Sequence, residues 1–327
     1  MNPEQLDLFD MSFSSKPASS VVPNTKKGVK VPVLKKQTMK VIKAVEEINL
    51  SPCVDQIDFL HSILCQVGMP KSETKELSFE RRNGKAGILL EAGKLWHPNG
   101  NWEQQPLPSG AKPRLIMVHI TGEAVKKKTQ KIDIGSSARE FLKTLGIDTG
   151  GHSYGHFRKQ MNALAACRMT LGMANGFRSI TLDAKPIKKF EAWVTNEDNQ
   201  SALWPGELEL SNDFFQTMVK HAVPLDKRAL AVLKGSALKL DIYTWLSHRL
   251  CRIEDKKGLV ITWEGLKNQF GEEYNDKKDF KKEFSRSLKA VLAVYPKAKV
   301  SSVENGLLLL PSAPPVQKTQ ILINKSA

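Results

Sequence analysis

The chain has 327 residues, with 49 basic and 34 acidic side chains and a formal net charge of +15, and 41% of its residues are apolar. That length suits two domains, or one with large additions, and the apolar share is enough for ordinary buried cores. No run of about 18 apolar residues offers a membrane span, and the opening MNPEQLDLFD lacks the basic-then-apolar order of a secretory signal.

The cysteines Cys53, Cys65, Cys167 and Cys251 are scattered without zinc-type spacing, which reads as free thiols in a reducing cytosol. The basic excess favours a polyanionic partner such as nucleic acid. It is uneven. Residues 112–190 carry fifteen basic and five acidic side chains, residues 191–226 seven acidic and one basic, and residues 234–300 fifteen basic and nine acidic. Two basic blocks around an acidic interval suggest two modules.

In chain order, residues 10–37 are rich in Ser, Pro, Lys and Val without a period, which predicts a disordered tether. A short helix is predicted from Thr38, and a second over 55–67 from Ile57, Leu60, Ile63, Leu64 and Val67 on one face. LSFERRNGKAGILLEA predicts a hairpin about Asn83-Gly84. Residues 96–113 look like loop, and PRLIMVHITGEAV like a helix with Pro113 in its first turn.

KIDIG (131–135) predicts a strand, and Ser136-Ser137 a cap for a helix that stops at Gly146. A longer helix is expected over 153–171, then a hairpin of FRSITL and IKKFEAWV joined around Asp183–Pro186. Strand, helix, turn, helix and hairpin is the order of a winged helix-turn-helix. The order returns as a helix at 238–253, a strand at 259–263, a short helix to Gly271, a long helix at 276–295 and a hairpin about Glu304-Asn305-Gly306. The expected fold is therefore α+β. It has a disordered tail (1–37), a first winged-helix-type domain (38–200), a second winged-helix DNA-binding domain (201–312) and a flexible C-terminal tail (313–327).

On the long helix, Phe280, Phe284, Leu288, Val291, Leu292 and Tyr295 form the stripe expected to be buried. Lys278, Lys281, Lys282, Ser285 and Lys289 lie mainly on other faces, with Lys277 and Arg286 nearby, and the lysines suit sequence-blind phosphate contacts. Asn275 and Arg286 offer forked groups for base edges. In the first module Tyr154, His156, Arg158, Lys159 and Asn162 occupy the early turns of the second helix, and Lys185, Lys188 and Lys189 the expected hairpin tip. Lys126, Lys127 and Lys128 end the preceding helix, where cations also suit the helix dipole.

No GxxxxGK[ST] loop occurs, nor the His-apolar-His pair that a nicking enzyme would use to hold a metal, and no paired carboxylates suggest acid–base catalysis. No enzyme activity, catalytic residue, metal or cofactor is expected.

LPSGAKPRLIMVHITGEAVKKKTQKIDIGSSAREFLKTLGIDTGG, DIYTWLSHRL, ITWEGLKNQFGEEYNDKKDFKKEF and LAVYPKAKV, in order from about Leu107 to Pro311, resemble the plasmid-encoded RepA replication initiators. The likeness includes Trp245, Trp263, Gln269-Phe270-Gly271 and Tyr295-Pro296. It implies a bacterial cytoplasmic initiator that binds double-stranded plasmid origin DNA, helps to open an A+T-rich stretch whose single strand is a further partner, and recruits the host initiator and helicase. It leaves open whether the protein works as a monomer, a dimer or an equilibrium of the two. In the tail, Gln5, Leu6, Asp7, Leu8 and Phe9 look like the pentapeptide by which bacterial proteins bind the replicative sliding clamp, and three apolar residues in a polar tail favour a docking peptide. A transcriptional repressor of its own operon and an origin-nicking replicase are the competing readings.

Overall fold

The computed structural model describes residues 36–51, 56–97, 99–175, 178–189 and 206–317. The pentapeptide and nearly all of the predicted tether lie outside these residues, as does Cys53. The N-terminal half begins with α1 (Lys36–Leu50), β1 (Ile57–His61), the hairpin β2 (Ser78–Asn83) and β3 (Ala86–Glu91), and a small ribbon of β4 (Lys94–Trp96) and β5 (Trp102–Gln104). Next come α2 (Ala111–Lys127), β6 (Lys131–Asp133), α3 (Ala138–Thr144), α4 (Gly151–Ala166), β7 (Arg168–Asn175), β8 (Arg178–Ala184) and β9 (Ile187–Lys189). The C-terminal half holds β10 (Glu207–Leu210), α5 (Asn212–Lys220), β11 (Ala222–Asp226), α6 (Lys227–Leu233) and α7 (Ala237–Arg249). It closes with β12 (Leu259–Thr262), α8 (Trp263–Phe270), α9 (Lys277–Val294), β13 (Val300–Val303) and β14 (Gly306–Leu309). The fold is thus mixed α and β.

Local chemistry sets many boundaries. Ser137 caps α3 by accepting from the Glu140 amide at 3.2 Å, while the Glu140 carboxylate accepts from the Ser136 amide at 2.8 Å. Thr262 caps α8 through the Gly265 amide (3.1 Å) and Asp276 caps α9 through the Lys278 amide (2.6 Å). Gly84, at φ 57°, turns β2 into β3 as the Asn-Gly pair predicts. A single core runs through both halves: Ile116, Phe141, Phe157 and Met161 belong to the same buried cluster as Tyr243, Trp245, Phe280, Phe284 and Val291.

Four expectations need correction. Residues 55–67 are not a helix: β1 pairs antiparallel with β11, from Ile57↔Asp226 to His61↔Ala222, and a turn follows. Ile57, Leu60, Ile63, Leu64 and Val67 are all buried as predicted, but β1 is covered on both faces, so its pattern carries no clean period. The helix expected to reach residue 171 ends at Ala166, because Arg168–Asn175 form β7 between β3 and β8. The hairpin expected around Asp183–Pro186 does not form among the described residues, which end at 189 here. β8 pairs back onto β7, while β9 crosses to pair with β10 in another sheet. Pro186, which has no N–H to give a ladder, stands at that crossing. The stretch 96–113 also contains β5, paired through Trp96↔Trp102.

The C-terminal pattern follows the sequence closely. β12, β14 and β13 form one antiparallel sheet, with Glu304-Asn305 at the hairpin turn. Gly306 opens β14 where a Cβ would collide with the Ile261 carbonyl. On α9, Phe280, Phe284, Leu288, Val291 and Tyr295 are buried, Leu292 is half-buried, and Ser287 and Val294 join the stripe.

Candidate nucleic-acid interface

Helix α9 carries the clearest cationic surface. Lys278, Lys282, Ser285 and Lys289 follow at i, i+4, i+7 and i+11, one line along the helix, opposite buried Phe280, Phe284 and Val291. The three lysines are exposed, and among the described residues no carboxylate pairs with them. Their neighbours are more committed. Lys277 pairs with Glu264 at 2.7 Å, Lys281 lies 5.0 Å above the Trp263 ring, and Arg286 pairs with Glu283 at 2.6 Å. Arg286 therefore sits on the acidic edge of Asp279 and Glu283, and its fork is partly occupied. Asn275 is exposed just before the cap.

The turn between α8 and α9 is fastened to the N-terminal half. Arg81, almost wholly buried on β2, meets Glu273 at 2.9 Å and Glu272 at 3.6 Å. Lys71 meets Glu273 at 3.2 Å and lies 3.8 Å above the Tyr274 ring, and the Gln269 side-chain Nε2 donates to the Gln66 carbonyl at 2.8 Å. Burial alone would raise the Glu273 carboxyl, yet Arg81 and Lys71 hold it below the ordinary carboxylate range. Two carboxylates beside the start of α9 are thus neutralised locally, which leaves the lysine line to dominate there.

The N-terminal half repeats the order helix, strand, helix, helix and two strands from α2 to β8. On α4, His152, Gly155, His156 and Lys159 are exposed, opposite Phe157, Met161 and Leu164 in the core. Tyr154 and Arg158 are half-buried, and Tyr154 packs against the core. Asn162 is half-buried, with an Oδ1 that has no hydrogen-bond partner among the described residues. Lys159 pairs with Glu73. Burial, and then nearby Lys112, lower the His156 pKa, so its ring is mainly neutral near pH 7. Lys185 and Lys188 are exposed but lie at the crossing between sheets, and Lys188 pairs with Glu209 at 2.7 Å; the Lys189 side chain is outside what the structure describes. Lys126 and Lys127 are held by Asp58 (2.8 Å) and Glu123 (2.7 Å).

Sequence reasoning missed three constellations. One is the Arg81–Glu273–Lys71 cluster. Another is Arg114, buried on α2 and paired with Asp241 of α7. The third is the exposed pair Trp96 and Trp102, which Asn99-Gly100 between them could have flagged, since Gly100 turns the ribbon at φ 83°. Among the described residues no three His, Cys, Asp or Glu side chains cluster as metal ligands, and no helix is long and apolar enough to cross a membrane.

The architecture is that of a mixed α+β protein with one helix–strand–helix–helix–two-strand order used twice and a cationic line on the last long helix. Residues 107–265, from just before α2 into α8, match the family described as plasmid encoded RepA protein. No curated protein matches the chain. Among solved structures, a selenomethionine crystal structure of domains 2 and 3 of RctB is similar at 12% identity and TM-score 0.48, over 79% of this chain and 100% of that one. A second structure of RctB domains 2-3 is similar at 12% identity and TM-score 0.44, over 74% and 85% of the two chains.

Proposed function

We propose that the protein is a plasmid replication initiator. It binds double-stranded origin DNA through two winged-helix modules, promotes local opening of an A+T-rich stretch in the bacterial cytoplasm, and recruits host replication proteins. The carrying observation is the exposed line of Lys278, Lys282 and Lys289, which pair with no carboxylate among the described residues, on a helix that a short helix precedes and a β-hairpin follows. That is the arrangement in which a second helix enters a major groove and a hairpin straddles phosphates. In the first module α4 takes the same place and β7–β8 the hairpin. The role is binding and recruitment, without catalysis.

A gel-shift titration on the cognate origin tests the reading. Neutralising six to ten phosphates makes affinity fall by ~10³–10⁵ between 50 and 200 mM salt. A flat salt profile counts against it, and so does nicking of supercoiled origin plasmid by the protein with Mg²⁺.

Clamp recruitment is a separable part of the proposal. Leu8 and Phe9 supply the apolar anchors of the pentapeptide, and a few such anchors carry most of a docking peptide's energy. Leu8→Ala/Phe9→Ala is expected to abolish capture of purified sliding clamp in a pull-down and to leave the origin gel shift unchanged. Equal capture by wild type and variant removes the clamp from the mechanism.

A further inference from the structure

The β4–β5 ribbon has a chemistry that duplex binding by α9 does not use. Trp96 and Trp102 face each other across the two strands and are 56% and 64% exposed. Their ring centroids are 5.2 Å apart at 70°, so the rings are not stacked on one another and ring surface stays open to solvent. Cross-strand partners share a face of an antiparallel pair, and so do residues two apart. One face therefore carries Lys94, Trp96, Trp102 and Gln104, and the other Leu95 and Glu103.

The indole face thus has a cation and no carboxylate of its own. It is also held in shape. The His97 backbone amide donates to the Asn101 carbonyl at 2.8 Å, and the Gln104 side-chain Nε2 donates to the Gly93 carbonyl at 2.9 Å and the Gln105 carbonyl at 3.0 Å. Gly93 packs against the Ala166 carbonyl at the end of α4, where a Cβ would collide, so the ribbon is seated on the core of the first module.

Large exposed aromatic rings on the same strand face as a lysine suit a partner with flat apolar faces and negative charge between them. Unpaired nucleobases joined by phosphates have that chemistry, whereas bases in a duplex keep their faces buried in the stack. We propose that the Trp96–Trp102 ribbon is a stacking platform for unpaired bases, with Lys94 beside the intervening phosphate, so that the protein grips single-stranded DNA at a site apart from α9. The proposal rests on the reading of the chain as a DNA-binding initiator and assigns it a second, single-strand site.

The test measures anisotropy of a labelled oligothymidylate, an abasic strand of equal length and the origin duplex. Wild type is expected to bind oligothymidylate, and Trp96→Ala/Trp102→Ala to weaken that binding by about tenfold or more. Trp96→Phe/Trp102→Phe should keep most of it, since a phenyl ring still stacks. Both wild type and the Ala variant should bind the abasic strand equally weakly and the duplex equally well.

Equal oligothymidylate binding by wild type and the Ala variant overturns the proposal. So does parallel loss of duplex and single-strand binding in a variant whose melting curve is unchanged, because the ribbon would then not discriminate. Should the Ala variant fail to fold, the Phe variant and Lys94→Ala decide: a Phe variant bound as weakly as non-specific controls, with Lys94→Ala unaffected, overturns it. Wild type that binds duplex and not oligothymidylate sinks this site alone, whereas wild type that binds oligothymidylate and not duplex supports the ribbon and sinks the reading of α9.

Discussion

Asp241→Ala is expected to destabilise the fold by ~3–5 kcal/mol, the cost of stranding one member of a buried ion pair. Arg114 of α2 meets Asp241 of α7 through two parallel bonds, Nε to Oδ1 at 2.6 Å and Nη2 to Oδ2 at 2.7 Å. Its remaining donors reach the carbonyls of Gly110 (2.7 Å), Met69 (2.5 Å) and Pro70 (3.1 Å). Without the carboxylate the guanidinium stays in place, 6% exposed, with only neutral acceptors around it. Arg114→Met/Asp241→Leu should be milder than Asp241→Ala, since it removes both charges. Urea unfolding of the three proteins checks this. An Asp241→Ala midpoint equal to wild type would show that the pair does not fasten α2 to α7.

The second large effect concerns affinity. Each phosphate contact contributes about 0.9 to the salt slope, which is about eightfold in affinity at 0.1 M salt relative to 1 M. Lys278→Ala/Lys282→Ala/Lys289→Ala should therefore lower duplex affinity several hundredfold at ~0.1 M salt and flatten the slope by ~2.7. Stability should move slightly the other way. Lys278 and Lys282 repel each other at i and i+4, a cost of ~0.2–0.5 kcal/mol that the substitutions relieve. Filter binding across a salt series measures slope and affinity together. An unchanged slope would mean that the lysine line faces solvent in the complex, and α9 would lose its assigned role.

What was legible in the sequence was local. Ser136-Ser137 and the Asn83-Gly84 turn each state a boundary through atoms within a few residues of one another. The stripe of α9 is likewise a property of one helix. The errors arose where the partner is distant. Nothing near Ile57–His61 announces β11, and nothing near Ile187 announces β10. The acidic interval concealed β10, α5 and β11, because alternation in short strands buried by other elements is too brief to register.

Charge was countable, but its use was not. Arg81, Arg114, Lys126, Lys127, Lys159, Lys188 and Arg286 all hold carboxylates of the fold itself. A count of basic residues therefore overstates what remains for a nucleic acid, and the pairings separate Lys278, Lys282 and Lys289 from the committed Lys277 and Arg286 on the same helix.

The ladder between β1 and β11 also governs how the chain matures on the ribosome. Ile57–His61 leave the exit tunnel roughly 160 residues before Ala222–Asp226, the partner that covers their backbone. At ~5–20 residues per second, that strand waits on the order of ten to thirty seconds with its amides and carbonyls unpaired. During that interval the N-terminal half, although it holds α2, α3 and α4, lacks the strand that closes it. Nascent chains stalled between residues 61 and 222 would thus present an open edge to chaperones or to other copies, and release from that state would come only with synthesis of the second half.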